Sequence, residues 1–253
     1  MWQTDISPQM VADAQERLRL RVRHTELIAA THFSELVGAK IFLKCENLQK
    51  TGAFKLRGAM NFMTAHDRTQ LQRGVTAASA GNHAQGVAYG ADLLGVQANI
   101  FMPESTPQQK VQATRDLGAQ IFLVGANYDE AALAAKEYSA NHETVYIHPF
   151  DDPLVIAGQS TIGLEILKDL PEVDTIVVPI GGGGLLAGVA LAVKQQRPDV
   201  HLVGVQVLAA PSMYHALHRG APVETDIQTT IADGIAVKKA GEITMPIIQQ
   251  LVD

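Results

Sequence analysis

Short runs rich in β-branched residues alternate with longer helical patterns over most of this chain, and that alternation restricts its fold more than any other feature. The β-rich runs fall at residues 41–45, 75–78, 98–102, 121–124, 145–147, 175–180 and 202–207. Helical patterns lie between most of them, at 54–65, 82–94, 107–117, 128–140, 153–170 and 185–195. Ahead of them, Ser7 as N-cap and Pro8 at the first helical position open a further helix that runs to about Leu20. Strand, helix, strand, helix implies right-handed crossovers and mainly parallel sheets, hence an α/β fold. Such sheets take ligands beyond the carboxyl ends of their strands, so the loops after the β-rich runs are where chemistry belongs. Hinge candidates lie near 50–52 and at 148–153, where Pro149 and Pro153 bracket an acidic turn, and they predict a smaller unit inserted into a larger one.

With 253 residues the chain is long enough to bury a sizeable core. Apolar residues make up 47% and charged ones 18%, a globular balance rather than a disordered one. A net charge of −6 leaves no basic footprint for nucleic acid. The single cysteine, Cys45, excludes an internal disulfide and fits a reducing compartment. Met1-Trp2-Gln3-Thr4-Asp5 lacks the basic-then-apolar pattern of a signal peptide, and no apolar run reaches the roughly 18 residues a membrane span needs. The expectation is a soluble cytoplasmic protein that engages neither membrane nor nucleic acid.

Three loops carry the chemistry. In Gly52-Ala53-Phe54-Lys55-Leu56-Arg57, a lysine one or two residues into a helix follows a glycine and an aromatic. The helix dipole and burial both disfavour an ammonium there, so a neutral amine suited to Schiff-base chemistry comes within reach. The plainer alternative makes Lys55 and Arg57 solvated charges. Ser79-Ala80-Gly81-Asn82-His83 follows the strand at 75–78 and opens the next helix, where small residues leave amides free for a carboxylate or phosphate. Here the plainer reading is a helix capped by Asn82 and nothing more. Gly181-Gly182-Gly183-Gly184 precedes the helix at 185–195, and four glycines cost more backbone entropy than a turn alone requires. Bare amides at a helix start cradle phosphate. No Gly-Lys-Ser/Thr follows, and the glycines are not spaced as in a dinucleotide fingerprint. An activated lysine, a carboxylate pocket and a phosphate pocket together match pyridoxal phosphate and an amino-acid substrate.

These residues resemble the threonine dehydratase and serine racemase group of fold-type II pyridoxal-phosphate enzymes. The likeness includes Lys44-Cys45-Glu46-Asn47-Leu48-Gln49, the Lys55 segment, residues 79–85, Val155-Ile156-Ala157-Gly158-Gln159, the tetraglycine and Ile231-Ala232-Asp233-Gly234. It is greatest toward the catabolic threonine dehydratases. The resemblance implies a tryptophan synthase β-like fold, with a larger phosphate-binding domain at 1–51 plus 148–253, incomplete at its C-terminus, and a smaller inserted domain at 52–147. It implies that Lys55 carries pyridoxal 5′-phosphate and acts as the catalytic base, with Phe54 beside the cofactor ring and Asn82 on its 3-hydroxyl oxygen. Gly181, Gly182, Gly183, Gly184 and Leu185 would bind the phosphate, and Ser79, Ala80, Gly81, Asn82 and His83 the substrate carboxylate. The reaction implied is deamination of L-threonine to 2-oxobutanoate and ammonia, with L-serine to pyruvate beside it, in threonine catabolism or isoleucine biosynthesis. A homo-oligomer, dimer or tetramer, is implied, and a nucleotide effector is left open.

Departures from the group's pattern separate the alternatives. Where serine racemases carry a serine acting as acid and base, this chain has Ala80, which moves no proton. Their divalent-metal carboxylates correspond to Gln206 and Ser212, so no metal is expected. Both points favour a dehydratase over a racemase. Members of the group continue with further strands, a Ser or Cys facing the pyridine nitrogen and, in some, a regulatory domain. No such segment comes after Asp253 here, which makes a cofactor-binding protein with little catalysis the rival from another class.

Overall fold

A computed structural model describes residues 5–253. Met1-Trp2-Gln3-Thr4, which carry most of the signal-peptide reading, lie outside the described residues. Ser7 accepts a hydrogen bond from the Met10 amide and starts α1 (Pro8–Leu18), whose Val11, Ala14 and Leu18 turn inward. β1 (Leu27–Ala29) pairs antiparallel with β2 (Phe42–Lys44), and α2 (Thr31–Val37) lies between them in the chain. Neither β1 nor α2 is signalled by the sequence. β1 is three residues long, and α2 buries none of its side chains, so neither shows a core-facing period.

The alternation then proceeds as expected through α3 (Lys55–Ala65), β3 (Val75–Ala78), α4 (Asn82–Leu94), β4 (Ala98–Met102), α5 (Gln108–Arg115), β5 (Gln120–Leu123), α6 (Tyr128–His142) and β6 (Val145–Tyr146). The four strands form one parallel sheet in the order β5-β4-β3-β6. β3 and β4 are buried along their whole length. Val75, Ala77, Ile100 and Met102 pack with Ala84, Val87 and Ala91 of α4, while Ala78 and Phe101 pack with Ala135 of α6 on the other face. A second, parallel pair is made by β7 (Thr175–Pro179) and β8 (His201–Val205). Its inward residues Ile176, Val178 and Leu202 join α1, α7 (Pro153–Asp169), α8 (Gly184–Gln196) and α10 (Thr244–Leu251) in a separate core. α9 (Ser212–Arg219), also unsignalled, comes after β8. No described helix is long and apolar enough to cross a membrane.

Close helix crossings join the two cores. A Cβ at Gly158 of α7 would stand 2.6 Å from the Arg57 carbonyl oxygen of α3, and one at Gly188 of α8 would stand 2.6 Å from the Ile156 oxygen. Only glycine lets these backbones touch. The contacts set the first turns of α3 and α8 around the start of α7.

Candidate active site

Lys55 is the first residue of α3, with Phe54 in the N-cap position. Its amine donates to the Pro149 carbonyl at 2.7 Å. It lies 5.3 Å from the Phe54 ring centroid and 5.9 Å from that of Phe150. No carboxylate pairs with it among the described residues. Burial therefore goes uncompensated and lowers its pKa to about 8. Arg57 is fully buried. Neither is a solvated charge.

The loop after β3 departs from the plainer reading of it as a capped helix start. Gly81, not Asn82, holds the N-cap position, and no side chain caps α4. A capping residue must keep non-helical backbone, whereas Asn82 already lies inside the helix. Asn82 is exposed, and its side chain makes no hydrogen bond among the described residues. The first-turn amides of α4 accordingly have no internal acceptor. Ser79 Oγ accepts from the Gly81 amide at 3.2 Å, and Ala80 is half-buried. His83 turns inward, its Nε2 bonded to the Ile147 carbonyl at 3.0 Å. A carbonyl only accepts, so Nε2 carries the hydrogen, and Nδ1 is left a buried lone pair without a donor. Burial first, and the Lys55 charge second, lower the His83 pKa to about 3.

In the glycine run, Gly183 takes φ +100° as the N-cap of α8, again with no side-chain cap. The amides of Gly184 and Leu185 at this helix start lack intrahelical acceptors. Thr244 Oγ1 and the Gly241 amide hold the Gly182 carbonyl from behind, at 2.6 and 3.2 Å. A Cβ at Gly182 would overlap the Phe150 ring, and one at Gly184 would stand 2.8 Å from the Phe150 oxygen. Packing and backbone conformation thus already demand glycine at 182, 183 and 184. The entropic cost of four glycines therefore does not by itself mark a ligand site.

What joins the three loops is the segment after β6, where the sequence predicts the end of a strand at Ile147 and a hinge at 148–153. Ile147 receives His83, Pro149 receives Lys55, and Phe150 sits against the glycines. His148 accepts at Nδ1 from the Asp151 amide at 2.8 Å and stacks edge-on with Phe150 at 4.8 Å. Its pKa falls to about 4, chiefly through burial. The available signal was its place at the carboxyl end of a parallel strand.

Residues 18–253 match the model of the family described as pyridoxal-phosphate dependent enzyme. The chain belongs to that family. It is 58% identical over 244 residues to an L-threonine ammonia-lyase of Geobacter sulfurreducens, covering 96% of this chain and 61% of the relative. A catabolic L-threonine dehydratase, TdcB, of Staphylococcus aureus is 44% identical, covering 96% and 70%. Among solved structures, processed threonine deaminase isoform 2 of Solanum lycopersicum superposes with a TM-score of 0.93 at 42% identity, covering 97% of this chain and 72% of that one. Maize serine racemase gives 0.94 at 37% identity, covering 100% and 76%. The chain spans about three fifths of the length of the first curated relatives it matches, 61% in each.

The fold is thus fold-type II, and pyridoxal phosphate is the family's cofactor. The residues present fit that group. A buried amine of depressed basicity and two uncapped helix starts offer the anchor and the amide donors it needs. Gln206 and Ser212 come together, with Gln206 Nε2 3.4 Å from Ser212 Oγ, while Gln206 Oε1 accepts from the Met213 and Tyr214 amides at 3.1 Å each. Both side chains are neutral. Among the described residues no group of three or more His, Cys, Asp or Glu could hold a metal ion.

Proposed function

We propose that this chain belongs to an L-threonine ammonia-lyase, converting L-threonine to 2-oxobutanoate and ammonia and L-serine to pyruvate. The observation that carries the reading is the Lys55 amine: buried, without a carboxylate partner, and brought to about pKa 8 beside two bare helix starts. Pyridoxal phosphate, when bound, supplies the electron sink that acidifies the substrate's α-hydrogen. Lys55 would hold the cofactor, and its amine, when free, would take the substrate's α-proton, since an amine near pKa 8 is a competent base at neutral pH. His83 and His148, at about 3 and 4, are too weak to compete. The Gly181–Leu185 amides would bind phosphate and those of 79–83 the substrate carboxylate, with Phe54 flanking the ring and Asn82, exposed and unbonded, free for the 3-hydroxyl oxygen. The electron pair left at the α-carbon would expel the β-hydroxyl, which takes up one proton in place of the one removed and leaves as water, and hydrolysis of the released unsaturated amine gives the keto acid and ammonia.

Ala80 supports elimination over racemisation, because inversion needs a second proton donor and a methyl group provides none. Chiral chromatography and keto-acid analysis of an L-serine incubation test this: pyruvate with little D-serine is expected, and Ala80→Ser should raise the D-serine fraction. D-serine as the main product would reverse the reading. The proposal extends to a two-domain division at 1–51 plus 148–253 and 52–147, supported by the two separate cores. It also includes a cytoplasmic homo-oligomer in threonine catabolism or isoleucine biosynthesis. Ile28, Phe33, Leu36, Val37 and Leu43, exposed together around β1, α2 and β2, support self-association with a second copy.

A further inference from the structure

The segment Lys44–Gln49 stands out in the sequence, yet none of its residues enters the site described above. The structure puts it behind α3. Arg57 engages all three of its side-chain nitrogens there. Nε and Nη2 take Glu46 at 2.9 and 2.7 Å, and Nη1 and Nη2 take Glu165 of α7 at 2.6 and 2.9 Å. Thr161 Oγ1 and the Arg23 carbonyl complete the set at 3.2 Å each. Lys44 reaches Glu165 at 2.7 Å and the Thr25 carbonyl at 2.7 Å. Thr25 Oγ1 donates to Glu46 at 2.5 Å, and the Gln49 carboxamide bonds both the amide and the carbonyl of Arg23 at 2.8 Å.

Arg57 lies two residues after Lys55, about 200° around the helix, so it projects from the face opposite the amine. The Gly158 crossing adjoins it, and a Cβ at Gly86 of α4 would stand 3.1 Å from the Leu56 amide nitrogen. α3 is therefore held closely on several sides, and a planar guanidinium bonded to two carboxylates fixes its rotation as a flexible ammonium cannot. A turn of about 10° about the axis would carry an atom ~6 Å out through roughly 1 Å, and such misplacements can cost about 100-fold in rate.

We infer that Arg57, braced by Glu46 and Glu165, is a positioning residue that sets the rotation of α3 and so the place of the Lys55 amine. The inference rests on Lys55 being the cofactor lysine. Its test is Arg57→Lys in the cofactor-loaded protein, read by borohydride fixation and peptide mapping, by circular dichroism of the bound cofactor, and by kcat and KM for L-threonine. Fixation at Lys55 should persist, KM should stay within about threefold, kcat should fall roughly 10- to 100-fold, and the cofactor's dichroic band should change. Val111→Ala, a core truncation on α5, should lower the melting temperature without moving band or kcat. If Arg57→Lys does not fold, Glu46→Gln keeps the shape and should shift band and kcat the same way by less. A band and kcat unchanged in Arg57→Lys, or shifted equally in Val111→Ala, would overturn the positioning role alone. Absence of the adduct from Lys55 in the unaltered protein would overturn the Lys55 reading and this inference together.

Discussion

The two faces of α3 treat a cation in opposite ways. On one, Lys55 meets a carbonyl and two aromatic rings, and its pKa falls to about 8. On the other, burial would likewise lower Arg57, but hydrogen bonds to Glu46 and Glu165 outweigh it and the pKa rises. Glu165 moves correspondingly: burial raises it, and Arg57 and Lys44 bring it below its ordinary value. Burial alone therefore does not set a charge; the partners left in the buried place do. The front face is built to make an amine give up its proton readily, the back face to keep its charge and hold still.

The largest expected effect breaks the front face. Lys55→Ala removes both anchor and base, and turnover should fall by about four orders of magnitude or more. Steady-state assay with borohydride labelling checks it, and turnover at the wild-type rate would end the assignment. Next comes the back face. Arg57→Met leaves Glu46 with only the Thr25 hydroxyl and Glu165 with Lys44, two largely buried carboxylates without their shared guanidinium, which should destabilise the protein by about 3 kcal/mol, measured by denaturant melting. A loss below about 1 kcal/mol would mean that the two carboxylates find solvent.

The front face should respond with the other sign. In the cofactor-free protein Lys55→Met removes a charge that folding desolvates. The folded pKa, about 8, lies below the ordinary lysine value of 10.5, so the unfolded chain binds more protons between those values and stability rises with pH across them. The penalty is complete below pH 8. Lys55→Met should therefore stabilise by up to about 3 kcal/mol at pH 7, with the gain vanishing as pH approaches 10.5. Melting curves at pH 7 and pH 10 compare the two; an equal gain at both would show that the amine is not desolvated. The smallest effect belongs to the rim of the clamp. His24, 2.7 Å from Asp169 and 45% exposed, should cost under about 1 kcal/mol when changed to Gln. A larger loss would move the clamp's energetic centre outward from Arg57.

The sequence by itself determined the class of fold and the starts of its chemistry. Hydrophobic period and turn residues are local signals, and they place β3, β4 and α4 at the residues the structure uses. They also place Lys55 at a helix start and the glycines before α8, because chain order alone sets which loop leads out of a strand. Tertiary structure decided what those residues meet. Arg57 reads locally as one more surface charge, since its partner Glu165 lies 108 residues away. Phe150 shows no motif, yet it packs against glycines more than thirty residues downstream. α2 escaped because a helix that buries nothing leaves no apolar stripe. The plainer reading of Asn82 as a cap fails because composition marks a helix start but not which residue keeps non-helical backbone. Local pattern fixes what each segment becomes; a buried group's charge and position are set by distant segments that arrive only when the chain packs.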